Sequence, residues 1–169
     1  PHVTIGRRVV LGRGVEVFPG AALGLAPQIR PPMSDFGVLE VGDETIIREY
    51  ATLNAGSRRP TGELGCTRVG GRCLIMAYAH VGHDCIVEDG VILVNGATLG
   101  GFVRVERHAT ISAMVPVHQH VRIGAYSYVG GGFRVVQDVP PYVLAAGEPL
   151  KPYGLNAVGL RRNGFTDAQ

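Results

Sequence analysis

Two histidines, an aspartate and a cysteine fall within one short stretch, Ala79-His80-Val81-Gly82-His83-Asp84-Cys85. An imidazole titrates near neutrality, and a neighbouring carboxylate can hold it in one orientation. His83 beside Asp84 is therefore a candidate general base, able to deprotonate a substrate hydroxyl or amine. Histidines also ligate zinc, so a metal site is a second chemistry for the same residues. A histidine pair three residues apart is more often structural or superficial, and spacing alone does not choose between these readings. The elements that carry the residues must decide.

Those elements announce themselves by period. From Val69 to Val135 a branched aliphatic residue recurs at every sixth position: Val69, Ile75, Val81, Val87, Leu93, Leu99, Val105, Ile111, Val117, Ile123, Val129 and Val135. The beat also runs through Ile5, Leu11, Val17 and Leu23, and through Val41, Ile47 and Leu53. Two residues before many beats sits a second small or apolar side chain, such as Cys73, Ala79, Cys85, Val91 and Ala97. A period of six fits neither a helix nor a long alternating strand. It fits a parallel β-helix of hexapeptide repeats, each a short strand plus a bend. Within a repeat the two apolar residues point inward together. Glycines, 25 in all, are expected to supply the backbone freedom of the bends.

In the known hexapeptide-repeat fold three strands close one coil of 18 residues. Stepping from His83 by 18 reaches Gly101, and by 36 reaches Gln119. These should stand in one outward column, roughly 5 and 10 Å apart: a base beside a glycine backbone and an amide. The same steps from His80 reach only Thr98 and Pro116. His83 and His118 lie about two coils apart, roughly 10 Å, which zinc–nitrogen bonds near 2.1 Å do not bridge within one chain. A site shared between subunits, as in the hexapeptide-repeat γ-carbonic anhydrases, stays open, as does a non-catalytic β-helix scaffold.

Composition narrows the classes. A chain of 169 residues that is 46% hydrophobic can bury the core of one domain. A net charge of +2 gives no nucleic-acid footprint. No run approaches a transmembrane span. The first twenty residues carry Arg7, Arg8 and Arg13 amid repeats, unlike a signal peptide. Three cysteines, two of them at core positions, read as buried thiols of a cytoplasmic protein rather than a disulfide framework. The β-helix is expected over 1–143, with a partly helical extension over 144–169. The beat breaks at 24–38, which holds Pro27, Pro31 and Pro32, and at 54–67. Such insertions leave a solenoid as loops and often form its binding surface.

Further residues make the pattern specific: Gly42-Asp43 with Ile47-Arg48-Glu49, Asn95-Gly96-Ala97-Thr98-Leu99, Val117-His118-Gln119, Gln137-Asp138-Val139-Pro140-Pro141-Tyr142, and Gly159-Leu160-Arg161-Arg162-Asn163-Gly164-Phe165. With the His80–Cys85 stretch, they make the chain resemble the UDP-N-acetylglucosamine O-acyltransferases that begin lipid A synthesis. The resemblance runs from about Val3 to Phe165. It implies an all-β, left-handed parallel β-helix that forms homotrimers with active sites between subunits. It implies transfer of a 3-hydroxyacyl chain from the phosphopantetheine of acyl carrier protein to the sugar 3-hydroxyl, with no other cofactor and no metal. His83 would be the general base, Asp84 its orienting partner and Gly101 N–H the oxyanion donor. Gln28, His80, Asn95, His118 and Gln119 match substrate-contacting positions, Asn156 and Arg162 positions near the nucleotide, and Gly131 the position that limits acyl length. An open Gly131 implies a long acyl chain.

The chain also departs from that family. Ile29 stands where an aspartate usually contacts the sugar, and Phe102 where a histidine usually follows the oxyanion glycine. The helical domain that helps the family bind acyl carrier protein would lie beyond Gln169, which reads as a trimmed or short divergent member. An acyltransferase acting on a different nucleotide sugar, including an amino sugar, is the same-fold alternative.

Overall fold

The every-sixth aliphatic residues point inward, and the coil closes after three of them. A computed structural model describes residues 1–166. Its strands form three sheets, the faces of a triangular left-handed parallel β-helix. The first face stacks Thr4–Ile5, Ala22–Leu25, Thr52–Asn54, His80–Val81, Thr98–Leu99 and Pro116–Val117. The second stacks Val9–Leu11, Val38–Val41, Cys66–Val69, Ile86–Val87, Arg104–Val105 and Arg122–Ile123. The third runs from Glu16–Val17 through Ile46–Ile47, Leu74–Ile75, Ile92–Leu93 and Thr110–Ile111 to Tyr128–Val129. Pairing is in register at steps of 18: His80 opposite Thr98, and Thr98 opposite Pro116.

All twelve aliphatic residues from Val69 to Val135 are at most 3% exposed. Each Leu or Ile so buried stabilises the coil by about 1.5–3 kcal/mol. Cys73 and Cys85 join this prism, and burial pushes their thiols up to about 11 and about 12.

The bends differ from the sequence expectation. At every sixth position from Arg72 to Gly132 the backbone is left-handed, yet most of these residues are not glycine: Arg72, Tyr78, Asp84, Phe102, His108, Met114, His120 and Tyr126. Left-handed backbone costs a non-glycine residue roughly 1–2 kcal/mol. Two contacts oppose that cost. Each such N–H reaches the preceding coil, as Phe102 does to His83 O at 3.0 Å and Tyr126 to Arg107 O at 3.0 Å. Side chains one coil apart stack, Tyr50 on Tyr78 at 5.3 Å and His108 on Tyr126 at 5.0 Å. The glycines that follow the beats serve close approach instead. A Cβ on Gly82 would lie 2.7 Å from Leu99 O, and one on Gly100 2.8 Å from Gln119 N.

Beyond the hexapeptides, Val143–Ala146 extends the third face and pairs antiparallel with Lys151–Leu155. A short helix, Ala157–Arg162, follows with Asn156 as its N-cap. Phe165 then packs edge-on against Tyr126 and Tyr142, at 5.0 and 6.2 Å. The hairpin has no counterpart in the sequence reading, because it leaves the six-residue beat. Among the described residues no helix is long and apolar enough to cross a membrane.

Candidate active site

His83 occupies the middle of the bend between the first and second faces. Its Nδ1 lies 2.8 Å from Asp84 Oδ2. A carboxylate only accepts, so Nδ1 carries the hydrogen and the Nε2 lone pair faces away from Asp84. That is the arrangement a general base requires. Asp84, unlike His83, does not face solvent. It shares its left-handed backbone (φ 59°) with exposed residues such as Tyr78 and Met114, but its side chain is held by Ser57 N–H and His83 and is only 3% exposed. There Oδ2 also accepts from Ser57 N–H at 2.9 Å, and Asp84 N–H donates to Thr67 Oγ1 at 2.8 Å.

The expected column is real. A Cβ on Gly101 would lie 2.7 Å from His83 Nε2, so glycine is the residue that leaves the imidazole room. Gly101 N–H has no hydrogen-bond partner among the described residues, whereas the neighbouring Gly100 and Phe102 N–H groups are both paired. An unpaired N–H beside a base is what an oxyanion site needs. Phe102 sets its ring edge-on to His83 at 5.2 Å and stacks on His120 at 4.9 Å. An apolar wall therefore replaces a polar partner on this side of the imidazole.

The chain is similar to known proteins over nearly its whole length. The Bacterial transferase hexapeptide model matches residues 66–101, and a model described as UDP N-acetylglucosamine O-acyltransferase, domain 2, matches 138–169. The UDP-N-acetylglucosamine acyltransferase of Francisella novicida superposes with a TM-score of 0.93 at 38% identity, covering 99% of this chain and 60% of that one. That of Campylobacter jejuni gives 0.85 at 30%, covering 99% and 71%. The chain belongs to the UDP-N-acetylglucosamine acyltransferase family. In sequence it is 41% identical over 156 residues to the Synechocystis acyl-[acyl-carrier-protein]–UDP-N-acetylglucosamine O-acyltransferase, covering 92% of this chain and 55% of that protein. To the Verminephrobacter eiseniae enzyme it is 43% identical over 162 residues, covering 96% and 61%. The chain thus spans little more than half the length of these curated relatives.

The other expected site residues of this acyltransferase-family chain fall into five places. His118 and Gln119 join His83 at the bend after the first face, both exposed, with His118 Nδ1 3.2 Å from Gln119 O. His80 lies on the first face itself, its Nδ1 2.8 Å from Thr52 Oγ1. Burial, reinforced by the nearby His83, holds His80 below the usual imidazole range, so it stays neutral and offers a hydrogen bond rather than a charge. Asn95 and Gly131 share the bend that enters the first face, both exposed and two coils apart. Gln28 is exposed in the first insertion. Ile29 beside it is half-buried.

Asn156 and Arg162 lie elsewhere. They line a groove of about 750 Å³ between the tail helix and the third face, with Met76, Ile92, His108 and Tyr128. Asn156 is spent on structure: its Oδ1 caps Gly159 N–H at 3.1 Å and its Nδ2 donates to Tyr126 O at 2.9 Å. Arg162 is exposed at the groove rim. In a triangular prism the third face lies opposite the bend between the first two. One chain therefore keeps Arg162 away from His83. No three His, Cys, Asp or Glu side chains converge as metal ligands would among the described residues.

Sequence reasoning missed Thr52, Ser57 and Thr67. Thr52 sits opposite His80 in the sheet register, but an insertion stretches that step to 28 residues. Ser57 acts through its backbone and leaves no mark in residue type.

Proposed function

We propose that this chain carries the acyl-transfer centre of a cytoplasmic acyltransferase that uses acyl carrier protein as donor and UDP-N-acetylglucosamine as acceptor, the entry reaction of lipid A synthesis. The supporting observation is the His83–Asp84 pair facing the unpaired N–H of Gly101. His83 Nε2 takes the proton of the sugar 3-hydroxyl as its oxygen attacks the thioester carbonyl. Gly101 N–H receives the developing oxyanion. Collapse of the tetrahedral intermediate expels the phosphopantetheine thiolate, which takes the proton back from the imidazolium. General-base help of this kind is worth about 10²–10⁴-fold, and an oxyanion donor about 10²–10³-fold.

Binding falls to the surrounding residues. Gln28, His80, Asn95, His118 and Gln119 present hydrogen-bonding groups to the sugar and the acyl-phosphopantetheine. Gly131 leaves room for the acyl chain, and Arg162 offers a fork that suits diphosphate. Because Arg162 and His83 sit on opposite sides of one prism, both can serve one substrate only if a second copy supplies one of them. A homotrimer, with the first face of one copy against its neighbour, meets that requirement. The site needs no resident cofactor or metal.

Mass-spectrometric detection of product from UDP-N-acetylglucosamine and a panel of 3-hydroxyacyl carrier proteins tests the reading. Acylated sugar nucleotide is the expected result. A folded protein with no product on that acceptor overturns it, and product only on an amino-sugar nucleotide would move the assignment to N-acylation. Light scattering at the trimer mass is expected, and a monomer would contradict the shared site.

A further inference from the structure

We propose that the second insertion is the positioning element of the His83–Asp84 pair. It would set which imidazole nitrogen carries the hydrogen through three groups: Ser57 N–H, Thr67 Oγ1 and the bare Cα of Gly65. Asp84 could satisfy its carboxylate in many ways, yet Oδ1 is buried without a hydrogen-bond partner in the described structure. A carboxylate that leaves one oxygen unpaired in the interior is held by its surroundings. Oδ2 is fixed between Ser57 N–H at 2.9 Å and His83 Nδ1 at 2.8 Å. Asp84 N–H is fixed on Thr67 Oγ1 at 2.8 Å. Oδ1 fits only because Gly65 has no side chain, since a Cβ there would overlap it.

The insertion is itself braced for this. Gly65 N–H donates to Ser57 O at 2.6 Å, closing the loop at its root. Gly37 N–H donates to Gly56 O at 2.7 Å and Val38 N–H to Gly65 O at 3.1 Å, which knits the roots of both insertions together. Gly37 and Gly56 must be glycine for this approach, as a Cβ on either would overlap the Gly65 backbone. Further out, Asp35 pairs with Arg8 at 2.8 Å and with Arg58 at 2.7 Å, tying the first insertion to the second. The insertion that interrupts the repeat therefore ends directly on the carboxylate behind the imidazole. Moving that carboxylate would free His83 to take the other tautomer, whose Nε2 carries a hydrogen and cannot accept one.

The inference rests on His83 as the base, and its test separates the two. Nitrogen-15 chemical shifts of the His83 ring report the tautomer without any turnover. They are measured above neutral pH in wild type, Gly65→Ala and Thr67→Val, alongside kcat and KM for the sugar nucleotide. Wild type should show hydrogen on Nδ1. Both variants should move towards hydrogen on Nε2, with kcat lower by roughly 10- to 100-fold, the scale of a misplaced catalytic group, and KM nearly unchanged. Folded variants that keep the wild-type ring shifts and kcat overturn the proposal. If Gly65→Ala does not fold, the near-isosteric Thr67→Val decides alone. A wild type that shows the tautomer shift on mutation but transfers no acyl group supports the positioning role and defeats the acyl-transfer reading. A wild type that turns over while neither variant alters tautomer or kcat does the reverse.

Discussion

Two bends of the same prism, built on the same backbone, are finished in opposite ways. At the bend after the second face three of the four middle N–H groups from Gly71 to Ala125 are capped by carboxylates, Gly71 by Asp89 at 2.9 Å, Arg107 by Glu88 at 3.1 Å and Ala125 by Glu106 at 3.0 Å, while that of Asp89 has no acceptor among the described residues. Those acids are paired in turn, Glu88 with Arg104 at 2.5 Å and Glu106 with Arg122 Nε at 2.7 Å. Burial alone would raise Glu106, but the Arg122 guanidinium and Ala125 N–H hold its carboxyl below the usual range. Above this bend runs a stack of His108, Tyr126 and Tyr142. At the bend after the first face the equivalent N–H groups of His83, Gly101 and Gln119 have no acceptor among the described residues. The bend after the second face is largely closed by its own side chains. The bend after the first face is left open, as are the N–H groups of Ala77, Asn95 and Ala113 at the bend after the third face, and what sets it apart is the imidazole of His83 beside the N–H of Gly101.

The contrast can be broken from either side. The largest effect should come from His83→Ala, which is expected to lower kcat by about 10²–10⁴-fold with little change in melting temperature. At the capped bend Tyr126→Ala removes two stacked contacts and the seat of Phe165. It should cost about 1–3 kcal/mol in denaturant titrations and leave kcat in place. Glu106→Ala strands Ala125 N–H and Arg122, for about 1–2 kcal/mol, measured the same way.

His80, on the face that enters the open bend, makes stability depend on pH. Its folded value is depressed by burial, so the unfolded chain binds a proton that the folded chain refuses. Its contribution is complete above the ordinary histidine value of about 6.5 and is lost as pH falls from there towards the folded value. His80→Gln should therefore flatten the fall in melting temperature between neutral pH and pH 5. The smallest effect concerns the thiols. Burial keeps Cys73 and Cys85 protonated, so a thiol reagent at pH 8 should label at most Cys66 in the folded protein.

How much of this was legible follows from period. The prism could be read from Val69 to Val135 because one inward residue per repeat is a strong constraint on type. The column of His83, Gly101 and Gln119 followed once a coil of 18 residues was adopted. The left-handed positions could not be read, since arginine, tyrosine, aspartate, histidine and methionine all occupy them and share only a backbone angle. The inward turn of Asp84 was hidden as well, since exposed residues share its backbone angle. The support behind it was equally hidden, because Ser57 contributes an N–H and Gly65 an absence. Asn156 was legible as a polar residue before a helix, but its side chain caps that helix instead of remaining free for a nucleotide.

The most direct test assays His83→Ala and Glu106→Ala side by side for acyl transfer and for thermal stability. The open bend is predicted to carry turnover and the closed bend stability: His83→Ala should lose at least about 100-fold in kcat while keeping its melting temperature, and Glu106→Ala should do the opposite. Equal turnover in the two variants would contradict the assignment of the chemistry to His83.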